Sequence, residues 1–309
     1  MRWTTAACLG IFAVSAVAFG YSYTITNNNL DTNPPEITMS SDSIKISIAD
    51  DDDKILEGVT ATDSKDGDVT SSLVVENLSN FIEEGVREAS IVAFDKDNHI
   101  SRVTREVTYT DYYSPRFKLS QPLRFSEDTY SYLTYFTAED CLDGDITAKI
   151  HMTFDEDYDY NTIGDVKINV TVANSMGDVS TLPVTMTIYD SDELRNAPTI
   201  TLTDYLIYVE SGESFDPSSY LESVSANGKT YSNKKGRMVV SSRYTTSEEE
   251  EEMPSSVMSI DNPVKKKPGV YEVAYTATDS GDVEDDTDDL STTVRLIVVV
   301  TEKAGEADE

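Results

Sequence analysis

The sequence predicts an all-β protein of tandem β-sandwich domains that follow one N-terminal helix, and three observations predict it. First, an eight-residue phrase occurs twice, as DSKDGDVT at 63–70 and as DCLDGDIT 77 positions later at 140–147. Second, a prolyl segment precedes each copy, and a glycine with a long alternating strand follows each. Third, no segment after residue 21 has a sustained helical period of apolar residues. Repetition at this period indicates an array of one small domain.

The N-terminal element comes first in the chain and predicts export. Residues 3–21 carry no charge, and Arg2 precedes them. The run has about the length that spans a bilayer, and the basic residue is expected on the cytoplasmic side. Two interpretations remain open. We favour a retained signal anchor, and the alternative is a signal peptide cleaved after Ala18, in the A-x-A segment 16–18. Both place the rest of the chain outside the cell.

The first domain is predicted after a polar tether. Residues 44–48 alternate apolar and polar, and four aspartates at 50–53 are expected to form a turn. Two longer strands, 86–94 and 101–109, are joined by a hairpin loop at 95–99. The second of these strands divides into two faces, Val103, Val107 and Tyr109 on one and Arg102, Thr104, Glu106 and Thr108 on the other.

The second domain has the cleaner alternation. Four apolar residues point one way in its glycine-led strand, and a turn at 174–178 leads to the returning strand. Pro183 predicts an edge or a bulge at the start of that returning strand, because proline cannot donate to a ladder. The four apolar residues are Val166, Ile168, Val170 and Val172.

The third domain departs from the pattern in its first half, where Asn227-Gly228 replaces the acidic phrase as a tight-turn pair. It also carries acidic insertions at 248–252 and 280–289. The apolar run 294–300 predicts a closing strand that is buried on both faces or whose edge is covered.

The predicted boundaries follow from these elements. They are a signal anchor or signal peptide at 1–21, a tether at 22–33, domains at 34–111, 114–190 and 197–301, and an acidic tail at 302–309.

The order of these motifs resembles the bacterial immunoglobulin-like domain named after pesticidal crystal proteins, and it looks related to hyalin-type and cadherin-like repeats. The segments that carry the resemblance are TATDSKDGDVT at 60–70, TAEDCLDGDIT at 137–147 and PGVYEVAYTATD at 268–279. The resemblance implies three tandem immunoglobulin-like sandwiches. In the family such domains are surface spacers, adhesive modules or accessory modules attached to enzymes.

The repeated phrase is also the candidate metal site. It places three carboxylates around one glycine, and calcium prefers such oxygen ligands. The alternative is that Asp-Gly shapes a turn, with side-chain oxygens accepting hydrogen bonds from nearby amides. The spacing lacks the twelve-residue loop and the terminal glutamate of the best-known calcium loop. The six candidate ligands are Asp63, Asp66, Asp68, Asp140, Asp143 and Asp145.

Composition narrows the function. The 309-residue chain has 39% hydrophobic residues, enough for packed cores, and 24 Lys+Arg against 57 Asp+Glu give a net charge of −33. That charge repels phosphate backbones, so nucleic acid is not an expected partner. The two cysteines, Cys8 and Cys141, are not expected to pair. The only histidines are His99, in a hairpin loop, and His151, next to a strand. No serine lies in a nucleophile-elbow context and Cys141 has no partner at the level of sequence, so we expect no enzyme.

The tyrosines are the remaining candidates for binding, because their rings can stack on sugars or on a protein partner. Packing between neighbouring strands is the alternative and the one we favour. The residues considered are Tyr130, Tyr132, Tyr135, Tyr158 and Tyr160.

The sequence therefore predicts a non-catalytic protein on the surface of a bacterial cell, acting as a spacer or an adhesion module. It is expected to be a monomeric array that contacts the membrane through its N-terminal helix and meets an unknown extracellular protein or glycan. The alternative is a secreted accessory module that calcium stiffens or that binds carbohydrate.

Overall fold

The structure is a computed structural model that describes residues 11–23, 33–155, 158–159, 162–191, 197–240, 251–279 and 290–302. It confirms the predicted fold class: six β-sheets follow one N-terminal helix, and the other helices are short 3₁₀ turns. The chain divides into two compact units, Met1–Asp111 and Tyr112–Glu309. The first unit contains one pair of sheets and the second contains two pairs.

Helix α1 covers residues 11–23 of the first unit. Its large apolar and aromatic side chains are each at least 62% exposed, and they are Ile11, Phe12, Val14, Val17, Phe19, Tyr21 and Tyr23. The part of the chain that the structure describes contains no helix long and apolar enough to cross a membrane. Residues 3–10 of the predicted span and 24–32 of the predicted tether lie outside the described residues.

The first sandwich packs a three-stranded sheet against a four-stranded sheet. The three-stranded sheet has the order β1 (Glu36–Met39), β3 (Val59–Asp63), β4 (Gly67–Asp68), and the other has β2 (Ser43–Ile46), β7 (Ile100–Tyr109), β6 (Val86–Phe94), β5 (Val74–Leu78). Two 3₁₀ helices, Asp52–Leu56 and Thr70–Ser72, complete it. The predicted four-aspartate turn thus leads into the first 3₁₀ helix, whose Ile55 is buried in the core.

Strand β7 has one feature that its alternation did not predict. Val107 is fully buried, as the apolar face of this strand requires. Arg105 lies on the same face and is only 3% exposed. The first core therefore contains a guanidinium group beside its aliphatic side chains.

The second sandwich repeats this plan. One sheet has the order β11 (Gly144–Asp145), β10 (Phe136–Asp140), β8 (Arg116–Leu119), and the other has β12 (His151–Phe154), β13 (Gly164–Ala173), β14 (Val179–Tyr189), β9 (Arg124–Ser126). Its 3₁₀ helices are Tyr132–Tyr135 and Thr147–Lys149. The four apolar residues predicted to share one face of β13 are all buried, and the residues between them are more exposed.

Pro183 lies inside β14, which is an inner strand of its sheet, opposite Asn169 of β13. Strand β9 borders β14 only at Thr187–Tyr189, so the other side of Pro183 has no strand partner there. The proline therefore occupies a local edge, as its missing N–H requires.

The third sandwich has two four-stranded sheets. One has the order β15 (Thr199–Leu202), β17 (Leu221–Ala226), β18 (Lys229–Lys234), β19 (Arg237–Val240), and the other has β16 (Leu206–Glu210), β22 (Leu290–Thr301), β21 (Gly269–Asp279), β20 (Met258–Asp261). A 3₁₀ helix, Pro217–Tyr220, precedes β17. Asn227 and Gly228 join β17 to β18 with φ of 51° and 68°, so the predicted tight turn is present. Of the predicted acidic insertions at 248–252 and 280–289, residues 248–250 and 280–289 lie outside the described residues. Glu251 and Glu252 are described, and they pair with Lys229 and Arg237.

All three sandwiches share one feature of topology. The first strand belongs to one sheet, and the second strand crosses to the other sheet and runs parallel to the last strand there. The parallel pairs are β2 with β7, β9 with β14, and β16 with β22. This recurrence supports the interpretation of the chain as one repeated folding unit.

Candidate functional site

The two copies of the acidic phrase adopt one geometry. Each forms a short hairpin at the end of a strand, where Asp63 pairs with Gly67 and Asp140 pairs with Gly144. The glycines have φ of 76° and 71°, a conformation that L side chains rarely adopt. The glycine of the phrase is therefore required by the backbone.

The first aspartate of each copy holds the turn from inside. Asp63 and Asp140 are only 7% and 2% exposed. Asp63 Oδ1 accepts hydrogen bonds from two backbone N–H groups, those of Lys65 and Asp66, at 2.8 Å each. Asp140 Oδ1 accepts the equivalent pair, from Leu142 and Asp143, at 2.9 Å each. This is the Asx-turn arrangement that the alternative to calcium binding predicted.

The third aspartate lies just before the next 3₁₀ helix and accepts from the first N–H of that helix. Asp68 Oδ1 accepts from the Thr70 N–H at 2.9 Å, and Asp145 Oδ1 accepts from the Thr147 N–H at 2.9 Å. Hydrogen bonds from these threonines, side chain first and backbone second, lower the pKa of both carboxyl groups. The same hydroxyl oxygens accept from the preceding strand, Thr70 from the Ala61 N–H and Thr147 from the Ala138 N–H.

The second aspartate reaches across to a different loop. Asp66 Oδ2 accepts from the backbone N–H of Lys96, at 2.9 Å, in the hairpin that joins β6 to β7. Asp143 makes the equivalent contact with Ser175, in the hairpin after β13: Oδ2 accepts from the Ser175 N–H at 2.7 Å, and Oδ1 accepts from the Ser175 hydroxyl at 2.6 Å. We call this contact between the second aspartate and the opposite hairpin the turn clamp.

Each clamped hairpin is itself held by its first side chain. Asp95 Oδ1 accepts from the His99 N–H at 2.8 Å, and Asp95 Oδ2 lies 2.6 Å from His99 Nδ1. Burial acts to raise the pKa of the Asp95 carboxyl, but the hydrogen bonds with His99 outweigh it and lower that pKa. Asn174 Oδ1 plays the same part in the second sandwich, where it accepts from the N–H groups of Met176 and Asp178 at 3.0 Å each.

The third sandwich has an equivalent hydrogen bond in which the donor and the acceptor have exchanged places. Asp279 ends β21, at the place where Asp95 and Asn174 follow β6 and β13. Its Oδ2 accepts from the backbone N–H of Asn227, at 3.1 Å, in the tight turn that replaces the acidic phrase. In this sandwich the carboxylate therefore lies at the end of β21, and the amide lies in the turn between β17 and β18.

The six candidate calcium ligands are thus brought together as two sets of three, one on each sandwich. Within each set, every aspartate accepts hydrogen bonds from the amides of the chain itself. Among the residues that the structure describes, no group of three or more His, Cys, Asp or Glu side chains has an arrangement that would hold a metal ion. Calcium binding stays a prediction, and a measurement decides it.

We expect calcium to leave the thermal stability of this protein unchanged, because at least one oxygen of each of the six carboxylates already accepts an amide hydrogen. The measurement is a pair of thermal melts, one in about 1 mM calcium, in the affinity range of extracellular modules, and one in chelator. A higher Tm in calcium, lost in the Asp66→Asn Asp143→Asn variant, would show that the acidic turns bind the ion.

The turn clamp also predicts a pH dependence. The Ser175 hydroxyl, and to a lesser degree Lys149, lower the pKa of Asp143 below its ordinary 3.8 against the opposing effect of burial. A lowered pKa means that the carboxylate contributes its full stability above the ordinary value and loses it as pH falls through the lowered one. The difference in free energy of unfolding between the wild type and Asp143→Asn should therefore be largest near neutral pH and shrink at about pH 2.

The control for this experiment is Ser175→Ala, which removes the main donor to Asp143. The free energy of unfolding of Ser175→Ala should lose part of the same dependence on pH. A difference between the wild type and Asp143→Asn that persists unchanged at the lowest pH would contradict the role given to the Asp143 charge.

The tyrosine candidates divide between packing and exposure. Tyr132 is 8% exposed, and Tyr135 packs against the second core. Tyr158 stacks on Phe154 with the ring centroids 4.3 Å apart, and Tyr130 is 74% exposed. Tyr160 lies outside the described residues. Tyr158 also packs against the second core, so packing accounts for three of the five rings.

The third sandwich carries an open groove of about 420 Å³ that the sequence did not predict. Its polar groups bond to one another: Asp216 Oδ1 accepts from the backbone N–H and the hydroxyl of Ser218, and Asn233 Nδ2 donates to the Leu221 carbonyl. No aromatic ring is among the described residues that line it, so it offers no stacking surface for a sugar. Its lining consists of Thr203, Asp216, Ser218, Ser219, Leu221, Glu222, Asn233 and Gly236.

Comparison with known proteins gives no family for this chain. No protein-family model matches it, and no curated protein matches it. Among solved structures, the CBM51-2 and INT domains of Clostridium perfringens ZmpB are 19% identical over 48% of this chain and 26% of their own, with a TM-score of 0.21. The extracellular domain of protocadherin gamma B4 is 16% identical over 88% of this chain and 50% of its own, with a TM-score of 0.17.

A lipoprotein of Bacteroides thetaiotaomicron is 12% identical over 59% of this chain and 98% of its own, with a TM-score of 0.23. This chain therefore spans 26% and 50% of the first two structures and nearly all of the third. At these TM-scores the likeness carries no argument about what the protein binds or does.

Proposed function

We propose that the chain is a non-catalytic extracellular module of three immunoglobulin-like sandwiches, of the bacterial type named after pesticidal crystal proteins. It serves as a stiff spacer or adhesion module at a bacterial surface. The observation that carries the proposal is the turn clamp. The repeated acidic motif uses its carboxylates to shape one turn and to tie that turn to a second loop, and it does so twice with the same geometry. Carboxylates used in this way have a structural role, as expected of a scaffold.

Attachment to the membrane is the second part of the proposal. The uncharged run 3–21 is about as long as a bilayer is thick, and the side chains of α1 within it are exposed. We propose that this segment is a retained anchor. The alternative is cleavage after Ala18 and release of the exported chain.

Cell fractionation tests the anchor. We expect the intact chain in the membrane fraction and accessible to added protease from outside the cell. A Val14→Arg Val17→Arg variant should lose that attachment, because charges at the middle of a span are costly to insert. Val14→Leu with Val17→Leu is the matched control and should stay attached. A mature chain in the medium that starts at Phe19 would establish cleavage instead.

A binding screen tests the adhesive role. The exported part, presented to extracellular-matrix proteins and to glycans, should retain a partner if the chain is an adhesin. If no partner is retained, the spacer role is the remaining proposal. Deletion of one sandwich should then reduce the distance between the cell surface and an epitope fused to the C-terminus. Hydrolysis of any retained ligand would overturn the non-catalytic assignment.

A further inference from the structure

We propose that the second and third sandwiches form one obligate block, because the outer face of the third sandwich is a docking surface made for the second. The two sandwiches belong to the same compact unit, Tyr112–Glu309. The proposal does not depend on the proposed function, since it concerns how two domains of this chain recognise each other.

The apolar part of the docking surface lies on the closing strand β22. Leu296, Val298 and Val300 point into the third core, as strand alternation requires. Ile297 points the other way, is 1% exposed, and belongs to the core of the second sandwich. Val299 on the same outer face packs against that core too. This double use explains the apolar run at 294–300, for which the sequence predicted either burial on both faces or a covered edge.

Neighbouring elements extend the apolar contact. Val270 lies on β21, whose partner in the ladder is Val299 of β22. Leu206 begins β16, beside Ile297. These side chains and that of Tyr205 pack against the second core. An apolar patch built across three strands of one sheet and covered by a second domain is typical of a permanent interface.

Charged groups surround this apolar patch and fix its orientation. Arg295 forms a fork with Asp165 of β13, from Nη2 to Oδ2 at 2.5 Å and from Nη1 to Oδ1 at 3.3 Å. Arg295 Nη1 also donates to Thr187 Oγ1 of β14 at 2.7 Å. Glu272 of β21 accepts from the backbone N–H of Thr185 and, at 2.8 Å, from its hydroxyl. Bidentate contacts of this kind specify geometry as well as adding energy.

The third sandwich also covers the edge of one sheet of the second sandwich. Strand β8 is the outer strand of its sheet, so some of its backbone N–H groups have no strand partner. The Phe117 N–H donates to the hydroxyl oxygen of Tyr208 in the third sandwich at 2.7 Å. The guanidinium of Arg116 lies 5.0 Å from the centre of the Tyr208 ring. Burial raises the pKa of Tyr208 to about 12, so the hydroxyl stays neutral at this edge.

The outward face of the last strand of the first sandwich serves as a comparison for that of β22. On that face of β7, which is this last strand, the exposed residues along the middle of the strand are polar, namely Arg102, Thr104 and Glu106, and the exposed apolar residue Ile100 is confined to the first position. The equivalent face of β22 carries Ile297 and Val299 beside Arg295. The apolar face is therefore a property of the third sandwich, and it fits a partner that is part of the same chain.

Cutting the chain between the two sandwiches tests the proposal. A protease site inserted after Ser191 in the full chain is cleaved under native conditions, and the products pass through a size-exclusion column at about 1 µM, where an interface with a Kd of that size is half dissociated. We expect the two pieces to elute together. Pieces that elute apart with the wild-type interface would overturn the proposal.

Variants identify the surface responsible. Ile297→Asp should separate the cleaved pieces, and Thr293→Asp is its matched control, because Thr293 lies on the same outer face of β22 but bonds to Thr276 within the third sandwich. Since Ile297→Asp risks unfolding the third sandwich, Asp165→Lys tests the interface from the other side. It should raise the apparent Kd by at least about tenfold with the near-UV circular dichroism of the uncut chain unchanged. Association that survives both variants would overturn the assignment of this surface.

Discussion

Replacing Asp140 with alanine is expected to lower the free energy of unfolding of the second unit by about 3 kcal/mol. The Asp140 carboxylate is 2% exposed and accepts three hydrogen bonds. Two come from backbone N–H groups of the turn, and the third comes from Asn174 Nδ2 at 3.2 Å. Alanine leaves these donors without an acceptor, and each such loss costs about 1–3 kcal/mol. Release of a buried charge offsets part of that sum.

Asparagine at the same position separates charge from geometry. The Asn174 side chain cannot turn over, because its Oδ1 accepts from the N–H groups of Met176 and Asp178. An amide nitrogen placed at Oδ2 of residue 140 would therefore face the Asn174 amide nitrogen, and two donors would oppose each other. We expect Asp140→Asn to lie between the wild type and Asp140→Ala, at a cost of about 1–2 kcal/mol.

Calorimetry measures the effect, because it separates units that unfold at different temperatures. For a unit of this size, 3 kcal/mol corresponds to a fall in Tm of about 6–12 °C. Asp128→Ala is the control, since this aspartate of the same unit is exposed, and its substitution should change stability by less than about 0.5 kcal/mol. Equal melting temperatures for the wild type and Asp140→Ala would mean that the turn is held by something else.

Local chemistry made much of the fold predictable. The alternation of β13 places its four buried residues without any knowledge of the partner strands, because the side-chain period of a strand is two. Asn227-Gly228 and the two Asp-Gly pairs mark turns because their backbones need positive φ. The Asx turn at Asp63 and Asp140 is equally local, since donor and acceptor lie two or three positions apart.

Contacts between distant residues were not predictable in this way. The turn clamp joins Asp66 to Lys96 and Asp143 to Ser175 across 30 and 32 positions, so only the packed sandwich brings them together. The apolar run at 294–300 predicted that β22 is buried on both faces or covered at its edge, but the pattern contains nothing about which part of the chain covers it. Only tertiary packing places the second sandwich there.

Arg105 is the clearest departure from its pattern, and it leads to the second large effect. It occupies an inward position of β7, where alternation predicts an apolar side chain. Arg105 Nη1 donates at 2.7 Å to each of the carbonyl oxygens of Ile55 and Glu57, at the end of the 3₁₀ helix Asp52–Leu56. Carbonyl groups at a helix end lack partners within the helix, and a cation is favourable there. The guanidinium therefore fastens this helix to the opposite strand.

Arg105→Lys is expected to destabilise the first unit by about 2–3 kcal/mol. The ammonium keeps the charge, but it lacks the planar fork and costs more to remove from water, since it is the more strongly hydrated group. Arg105→Met should cost less. It loses the same two hydrogen bonds, but it also removes a buried guanidinium whose Nε has no hydrogen-bond partner among the described residues. Taking such a charge out of water costs several kcal/mol, and methionine avoids that cost.

Urea unfolding followed by circular dichroism measures both variants, and Arg102→Lys is the matched control. Arg102 lies three positions away on the opposite face of β7, is exposed, and pairs with Glu76 at 2.7 and 2.6 Å. An exposed pair contributes about 0–1 kcal/mol, so the same change of side chain should have little effect there. If Arg105→Lys is tolerated and Arg105→Met is not, the charge at this position stabilises the first sandwich and the fork does not. A larger loss of stability in Arg105→Lys than in Arg105→Met requires that the geometry of the guanidinium, rather than its charge alone, joins the 3₁₀ helix to β7.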